Sequence, residues 1–261
     1  MKVACIQLSS GENYKKNFKN ITKYVHEAIK KKSDLIITPE TSSIITSDKK
    51  ILYANTYSMQ NDPLIKDIKK ISKKFKKWIL IGSLPIKDGR KFRNRSIMIN
   101  PNGKIAKYYD KISMFDVKLT NKETHRESKT FKPGKKLVSI DLPWGRLGLT
   151  ICFDLRFPEI YRNLSKKNLN FISVPSAFTK ITGQKHWLTL LKARAIENFC
   201  YIFAPNQTGK NTKKRETFGH SVIISPDGKI IKMKKKGVGN IYANIDSGKS
   251  MKLRKIIPSL N

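Results

Sequence analysis

The sequence predicts an α/β protein, a four-layer αββα sandwich built from two internally repeated halves. Short apolar runs that are typical of buried strands alternate with longer segments of helical periodicity along the chain. Two kinds of segment also occur twice. Residues 96–107 and 221–232 both predict a β-hairpin with a Pro-x-Gly turn. Residues 34–40 and 170–176 both predict a buried strand that ends before a proline.

Each half is expected to follow the same order of elements. The first half predicts a strand at 3–8, an amphipathic helix at 13–32, a strand at 34–38, a helix at 63–77, a strand at 78–85 and the first hairpin. The second half predicts a strand at 147–151, a helical pattern from 153, a strand at 170–174 and the second hairpin. Two such halves can pack sheet against sheet with helices outside. Because they would share one core, residues 1–261 are predicted to form a single domain.

The net charge of +35 is the most unusual feature of the composition, with 54 Lys and Arg against 19 Asp and Glu. Such an excess suggests nucleic acid or an anionic membrane as a partner. The basic clusters Lys30–Lys32, Lys73–Lys77, Lys213–Arg215 and Lys234–Lys236 fall on separate predicted elements and do not form one stripe. We therefore interpret them as solvated surface lysines. No specific nucleic-acid partner is expected, only weak and salt-sensitive binding of polyanions.

The cysteine content favours a reducing compartment. Cys5, Cys152 and Cys200 are an odd number without a CxxC pair, which argues against a disulfide framework. The first residues predict a strand and leave no room for a signal peptide, and no apolar run is long enough to span a membrane. The sequence therefore predicts a cytoplasmic protein with no membrane partner.

Cys152 is the first candidate for chemistry. It follows the apolar strand at 147–151 and precedes a helical pattern, and backbone N–H groups at such a turn favour a thiolate and can bind an oxyanion. The alternative is a small buried hydrophobic residue. A cysteine nucleophile needs a base, and none of the histidines shows a pairing or metal-binding spacing. They are His26, His125, His186 and His220.

A carboxylate can supply that base if burial raises its pKa toward neutrality, and Glu40 is the candidate. It follows a buried-type strand and Pro39, and active sites of α/β folds gather at the carboxyl ends of strands. The alternative is a helix-capping or solvated glutamate. Lys111 is distinguished from the many surface lysines by its apolar and aromatic surroundings in residues 108–117.

Together these segments resemble the nitrilase (carbon-nitrogen hydrolase) superfamily, whose signature is Glu, Lys and Cys in that order. Thr38–Glu40 is similar to the glutamate motif, Asp110–Lys111 to the lysine motif and Ile151–Glu159 to the cysteine motif. The family has a second glutamate soon after the lysine, which Glu127 in Arg126–Ser128 matches. Later segments at 176–179, 183–187, 193–198 and 218–221 are also similar, so the resemblance covers 3–258.

The resemblance implies a cysteine-dependent amidase that needs no metal or organic cofactor and forms a homodimer or larger homo-oligomer. It assigns Cys152 as nucleophile, Glu40 as general base and Lys111 as oxyanion donor together with the backbone N–H of Phe153. Glu127 would orient Lys111. Substrate contacts are expected from three further side chains: Arg156, Thr179 and His186.

Within the superfamily the chain is most similar to the Nit branch, which comprises deaminated glutathione amidase and omega-amidase. Deaminated glutathione is therefore the expected substrate, with 2-oxoglutaramate or an N-carbamoyl amino acid as alternatives. Ser113 departs from the branch, which usually has histidine there, and this leaves the packing behind Lys111 open. Two other classes of protein are alternatives. One is a basic nucleic-acid-binding protein, for which no binding motif is found. The other is a catalytically inactive sandwich with a structural role, against which the complete set of Glu40, Lys111, Glu127 and Cys152 argues.

Overall fold

The computed structural model describes residues 1–120, 124–166, 168–213 and 215–260. The first half contains β1 (Lys2–Gln7), α1 (Tyr14–Lys30), β2 (Leu35–Ile37), α2 (Lys49–Ala54), α3 (Pro63–Phe75), β3 (Trp78–Asp88), β4 (Lys91–Ile99), β5 (Ile105–Asp110), β6 (Asp116–Lys118) and β7 (Thr124–Arg126). The second half contains β8 (Val138–Leu142), β9 (Gly145–Leu149), α4 (Pro158–Ser165), β10 (Phe171–Ser173), α5 (Lys180–Asn198), β11 (Tyr201–Ala204), β12 (Thr208–Thr212), β13 (Arg215–Phe218), β14 (Ser221–Ile224), β15 (Ile230–Lys234), β16 (Gly239–Asn244) and α6 (Gly248–Ile256).

Two six-stranded sheets repeat one topology, which confirms the predicted duplication. Their strand orders are β16-β1-β2-β3-β4-β5 and β15-β14-β11-β10-β9-β8. In the first sheet β1, β2 and β3 run parallel and β4 and β5 return antiparallel, while β9, β10, β11, β14 and β15 do the same in the second. Each sheet is completed by one further antiparallel strand: β16, from the second half, lies beside β1, and β8 lies beside β9.

Side chains along β1 point alternately to two different cores, which shows how the four layers pack. Val3 and Cys5 lie in the core that joins the two sheets, whereas Ala4 and Ile6 pack with the buried faces of α1 and α3. This period of two is what a strand covered on both faces requires. The buried faces of α4 and α5 cover the second sheet. The predicted αββα sandwich is therefore confirmed.

The predicted hairpins are present, and their turns are alike. Gly103 and Gly228 have φ values of +73° and +81°, a conformation in which a side chain would be strained. Each donates its N–H to the residue three positions earlier, Asn100 or Ser225, at 2.8 and 2.9 Å. The Pro-x-Gly pattern therefore identified both turns correctly.

The helix predicted after Cys152 is interrupted. Residues Cys152–Arg156 form a short 3₁₀ helix, and α4 begins only at Pro158. Phe157 between them has extended backbone angles (φ −108°, ψ 92°), because a residue before proline is pushed out of the helical region. Two small hairpins, β6–β7 and β12–β13, were not predicted, and both border the cavity described below.

The carboxyl ends of the parallel strands meet at one edge of the sandwich. β2 leads to Glu40, β9 to Cys152 and β10 to Ala177. All three lie in the wall of one cavity at this edge. No helix in the described parts of the chain is long and apolar enough to cross a membrane.

Candidate active site

Cys152 occupies a sharp turn between β9 and the 3₁₀ helix. Its φ of +47° is unusual for a residue with a side chain and is a strained conformation of the kind found at functional sites. Its N–H donates to the carbonyl oxygen of Pro175 at 3.0 Å, so the turn is tied to the segment that follows β10. The side chain is nearly buried and lies in the cavity wall.

Glu40 lies beside it and is 3% exposed. Its Oε1 accepts hydrogen bonds from Lys111 Nζ at 3.0 Å and Asn94 Nδ2 at 2.9 Å. Its Oε2 accepts from the N–H of Ala177 at 2.8 Å. The Cys152 thiol interacts electrostatically with this carboxylate in the same cavity wall. The carboxylate is thus held in one orientation with its charge facing the sulfur.

Lys111 and Glu127 complete this network. Lys111 Nζ is 2.8 Å from Glu127 Oε2, which also accepts from the N–H of Phe115 at 2.7 Å. Asn94 Nδ2 donates to Glu127 Oε1 at 3.1 Å as well as to Glu40, so one amide bridges the two carboxylates. Asn94 was not predicted as a site residue. It is one asparagine within β4, and nothing in the surrounding sequence marks it.

Asp154 ties the lysine segment to the cysteine turn. It is fully buried and accepts hydrogen bonds from Tyr109 Oη at 2.7 Å and from the N–H groups of Ser113 and Ile151 at 2.9 Å each. Ser113 therefore contributes to the packing behind Lys111 through its backbone. This contact is available to any residue other than proline at that position.

The charges of the site favour a thiol beside an ionised carboxylate. Burial acts to raise the pKa of Glu40, as expected, but the charge of the Lys111 ammonium, and then the interactions with Cys152 and Arg215, bring it below its ordinary value. The predicted rise of this pKa toward neutrality is therefore wrong, because the neighbouring cations outweigh burial. Burial, and then the negative charge of Glu40, raise the pKa of Cys152 well above that of a free thiol. Burial lowers the pKa of Lys111, yet Glu127 and Glu40 outweigh this effect and raise it.

These residues share a cavity of about 410 Å³. Its wall includes Glu40, Lys111, Glu127, Cys152, Phe153 and Thr179, and so brings together six of the eight residues singled out from the sequence. The other two, Arg156 and His186, are not part of the described wall. The Arg156 guanidinium instead lies over the rings of Phe153 and Phe178 and contacts His186 Nδ1 at 3.3 Å.

Arg215 on β13 also lines the cavity and was missed as a site residue. In the sequence it belongs to the cluster Lys213–Arg215 and looks like any other surface cation. Only the pairing of β12 with β13 brings it to the active-site edge. Among the described residues, no cluster of His, Cys, Asp and Glu has the arrangement of a metal site.

The chain is similar in sequence to known proteins along most of its length. Residues 2–255 match the carbon-nitrogen hydrolase family. The chain is 36% identical to a deaminated glutathione amidase of Yersinia enterocolitica over 99% of this chain and 91% of that protein. It is 35% identical to one of Dictyostelium discoideum, over 98% and 91%.

Solved structures show the same fold. The C. elegans NitFhit protein superimposes with a TM-score of 0.90 at 32% identity, covering 98% of this chain and 63% of that one. Saccharomyces cerevisiae Nit3, a member of branch 10 of the nitrilase superfamily, superimposes with a TM-score of 0.88 at 28% identity, covering 99% and 94%. The chain therefore belongs to the carbon-nitrogen hydrolase family and is a hydrolase that acts on amides.

Proposed function

We propose that this chain is a cysteine-dependent amidase that hydrolyses a small carboxylated amide to a carboxylic acid and ammonia or an amine. Deaminated glutathione is the first candidate substrate, which the names of the relatives support. The observation that carries the proposal is the buried network of Glu40, Lys111 and Glu127 around the Cys152 thiol in one cavity.

In the first step, Cys152 attacks the carbonyl carbon of the amide while Glu40 removes the thiol proton. The raised pKa of Cys152 keeps the resting sulfur protonated, whereas the lowered pKa of Glu40 keeps its carboxylate able to accept the proton. The tetrahedral oxyanion is stabilised by Lys111 and by the N–H of Phe153. One such donor contributes about 3 kcal/mol to the transition state.

In the second step, the carbon–nitrogen bond breaks and Glu40 returns its proton to the leaving nitrogen. A thioester remains on Cys152. A water molecule then attacks this thioester as Glu40 takes its proton. The carbon–sulfur bond breaks, the acid leaves, and Glu40 returns the proton to sulfur. No group besides these side chains is required for the proton balance.

Glu127 acts in this scheme through Lys111. It holds the ammonium at 2.8 Å and is itself fixed by Phe115 and Asn94. Thr179 is proposed as a substrate contact because it lines the cavity. Arg156 and His186 contact each other and are not among the described residues of the cavity wall, so their role as substrate contacts stays a prediction.

We further infer one hydrolase domain over 1–261, a cytoplasmic location and a homodimer or larger homo-oligomer. The resemblance to the family is what supports self-association. Light scattering of the purified protein tests the oligomeric state.

A panel of amides tests the activity. Deaminated glutathione, 2-oxoglutaramate and an N-carbamoyl amino acid are supplied separately, and the released amine or ammonia is measured. Turnover is expected with deaminated glutathione, and Cys152→Ala should reduce it by several orders of magnitude. Cys200→Ala, at another buried cysteine, is the matched control and should retain activity. Preference for another member of the panel would reassign the substrate, and near-normal turnover by Cys152→Ala would exclude the mechanism.

A further inference from the structure

Arg215 is a half-buried cation in the cavity wall that uses little of its bonding capacity. Its Nη2 donates to the carbonyl oxygen of Ala177 at 2.9 Å. Its Nε is buried and has no hydrogen-bond partner within the described parts of the chain. Among the described residues no carboxylate forms an ion pair with it. A guanidinium offers five N–H donors, so most of the donors of Arg215 remain available to water or to a ligand.

Such a group is costly unless a ligand completes its contacts. A half-buried cation without a counterion loses part of its hydration, and one carbonyl does not replace that loss. Orphaned buried donors such as its Nε are rare in folded proteins. The cavity carboxylates do not fill this role. Both oxygens of Glu40 and both of Glu127 already accept hydrogen bonds from other groups.

The position of Arg215 relative to the reacting atoms is fixed. The carbonyl of Ala177 accepts from Arg215, and the N–H of the same residue donates to Glu40. The hairpin that carries Arg215 is joined to this loop by a bridge between Thr179 and Thr217 and by the N–H of Phe218, which donates to Phe178 at 2.9 Å. The guanidinium is therefore held by the same loop that orients the general base.

The charge of the cavity agrees with an anionic ligand. Its described lining contains five cationic side chains, Lys49, Lys111, Arg126, Lys129 and Arg215, against three carboxylates, Glu40, Asp48 and Glu127. Lys111 is already paired with two of these carboxylates. Lys49, Arg126 and Lys129 are exposed, which leaves Arg215 as the half-buried cation beside the general base.

We propose that Arg215 determines substrate specificity by binding a carboxylate of the substrate, next to the Ala177 backbone. This inference rests on the proposed amidase function, and it adds the residue that selects anionic amides over neutral ones. A guanidinium and a carboxylate can form two parallel hydrogen bonds, which fixes the orientation of the ligand as well as its charge.

Two amides of equal chain length test the proposal: glutaramate, which ends in a carboxylate, and pentanamide, which does not. Arg215→Gln should lower kcat/KM for glutaramate about a hundredfold, mainly through KM, because a buried charge pair loses one partner. The value for pentanamide should stay within about threefold. Arg215→Lys should restore part of the loss, since it keeps the charge but not the paired donors.

Lys180→Gln is the matched control. Lys180 is an exposed cation at the start of α5 that pairs with Glu216, the neighbour of Arg215 on β13, and it is not in the cavity wall. This variant should leave the ratio of the two amides unchanged. An equal loss for both amides in Arg215→Gln would overturn the proposal, since Arg215 would then only hold Ala177 and Glu40 in place. Unchanged kinetics for both would overturn it too.

A binding measurement separates this proposal from the amidase function itself. Calorimetric titration with glutarate should show binding to the wild-type protein and a loss of about a hundredfold in affinity in Arg215→Gln. Arg215-dependent binding without turnover of any amide would support the carboxylate site and refute the amidase function. Turnover of glutaramate without Arg215-dependent binding would do the reverse.

Discussion

At the scale of single residues, the central feature is the Cys152 thiol beside the ionised Glu40 carboxylate. The pKa of Cys152 is raised by burial and by the charge of Glu40, so the resting nucleophile is a thiol. The pKa of Glu40 is lowered against the effect of burial, mainly by Lys111. In the proposed mechanism, the thiolate would form only as the substrate is attacked, with Glu40 as the general base.

This arrangement predicts an asymmetric pH dependence. The lowered pKa of Glu40 keeps the base ionised above the ordinary carboxyl value of 4.5, so the acid limb of kcat/KM should lie below that pH. Because the pKa values of Cys152 and Lys111 are both raised, no alkaline limb from thiolate formation or ammonium loss should appear up to about pH 9.

Initial rates with a neutral amide, whose own charge does not change, check this profile. Arg215→Gln removes a charge that lowers the pKa of Glu40, so its acid limb should move to higher pH. An alkaline rise in wild-type kcat/KM with an apparent pKa near that of a free thiol would show that a preformed thiolate reacts, contrary to the scheme.

At the scale of elements, the position of Glu40 depends on a close approach in which β3 packs against the segments that follow β2 and β10. Gly82 in β3 lies between the segments that carry Glu40 and Ala177. A Cβ atom built at Gly82 would lie 1.7 Å from the carbonyl oxygen of Thr38 and 2.6 Å from Cβ of Pro175. The Gly82 N–H donates to Thr38 Oγ1 at 2.9 Å. Only glycine allows the two catalytic loops to come this close.

Gly82→Ala should therefore affect both stability and rate. Overpacking against backbone should cost about 3 kcal/mol of unfolding free energy, and displacement of the Glu40 loop should lower kcat at least about tenfold. Gly237→Ala is a control, because a Cβ there meets nothing within 4 Å and only the φ of +73° is unfavourable. Urea denaturation and steady-state rates check both variants. Equal effects from the two substitutions would contradict the account.

Elements of strong periodicity were predictable, and contacts between elements were not. The Pro-x-Gly turns at Gly103 and Gly228 are local signals, and they identified the repeated hairpins. Asn94 and Arg215 carry no local signal. Their importance depends on which strand lies beside which, as β13 brings Arg215 to the cavity and β4 brings Asn94 between two carboxylates. Glu40, Lys111, Glu127 and Cys152 were identified because their surrounding motifs resemble a family.

At the scale of the whole molecule, the fold brings together basic clusters that the sequence separates. Lys32 lies three residues before Leu35, the first residue of β2, and Lys77 directly precedes Trp78, the first residue of β3; Leu35 and Trp78 are paired neighbours. The clusters Lys30–Lys32 and Lys73–Lys77 thus meet at one edge of the outer helix layer, away from the carboxyl ends that form the active site. The sequence placed these lysines on separate elements, and the structure joins two of the four clusters.

This edge should bind polyanions without selectivity. Affinity for a duplex of any sequence should fall steeply as salt rises, because the lysines release counterions from phosphates. Replacing Lys73 and Lys74 by Glu should reduce the slope of log K against log salt. The same change at the exposed Lys235 and Lys236, which lie elsewhere, should reduce it less. Filter binding over a salt series measures both slopes, and sequence-selective binding at physiological salt would revive a nucleic-acid-binding role.

A covalent bond between the substrate acyl group and Cys152 is the central step of the proposed mechanism. Acid quenching during turnover of an amide, followed by intact-mass measurement and peptide mapping, tests this bond. We predict an added mass equal to the acyl group on the peptide that contains Cys152, present in Cys200→Ala and absent in Cys152→Ala. Steady turnover with no acyl group on that peptide, or with the group on another residue, would contradict the mechanism.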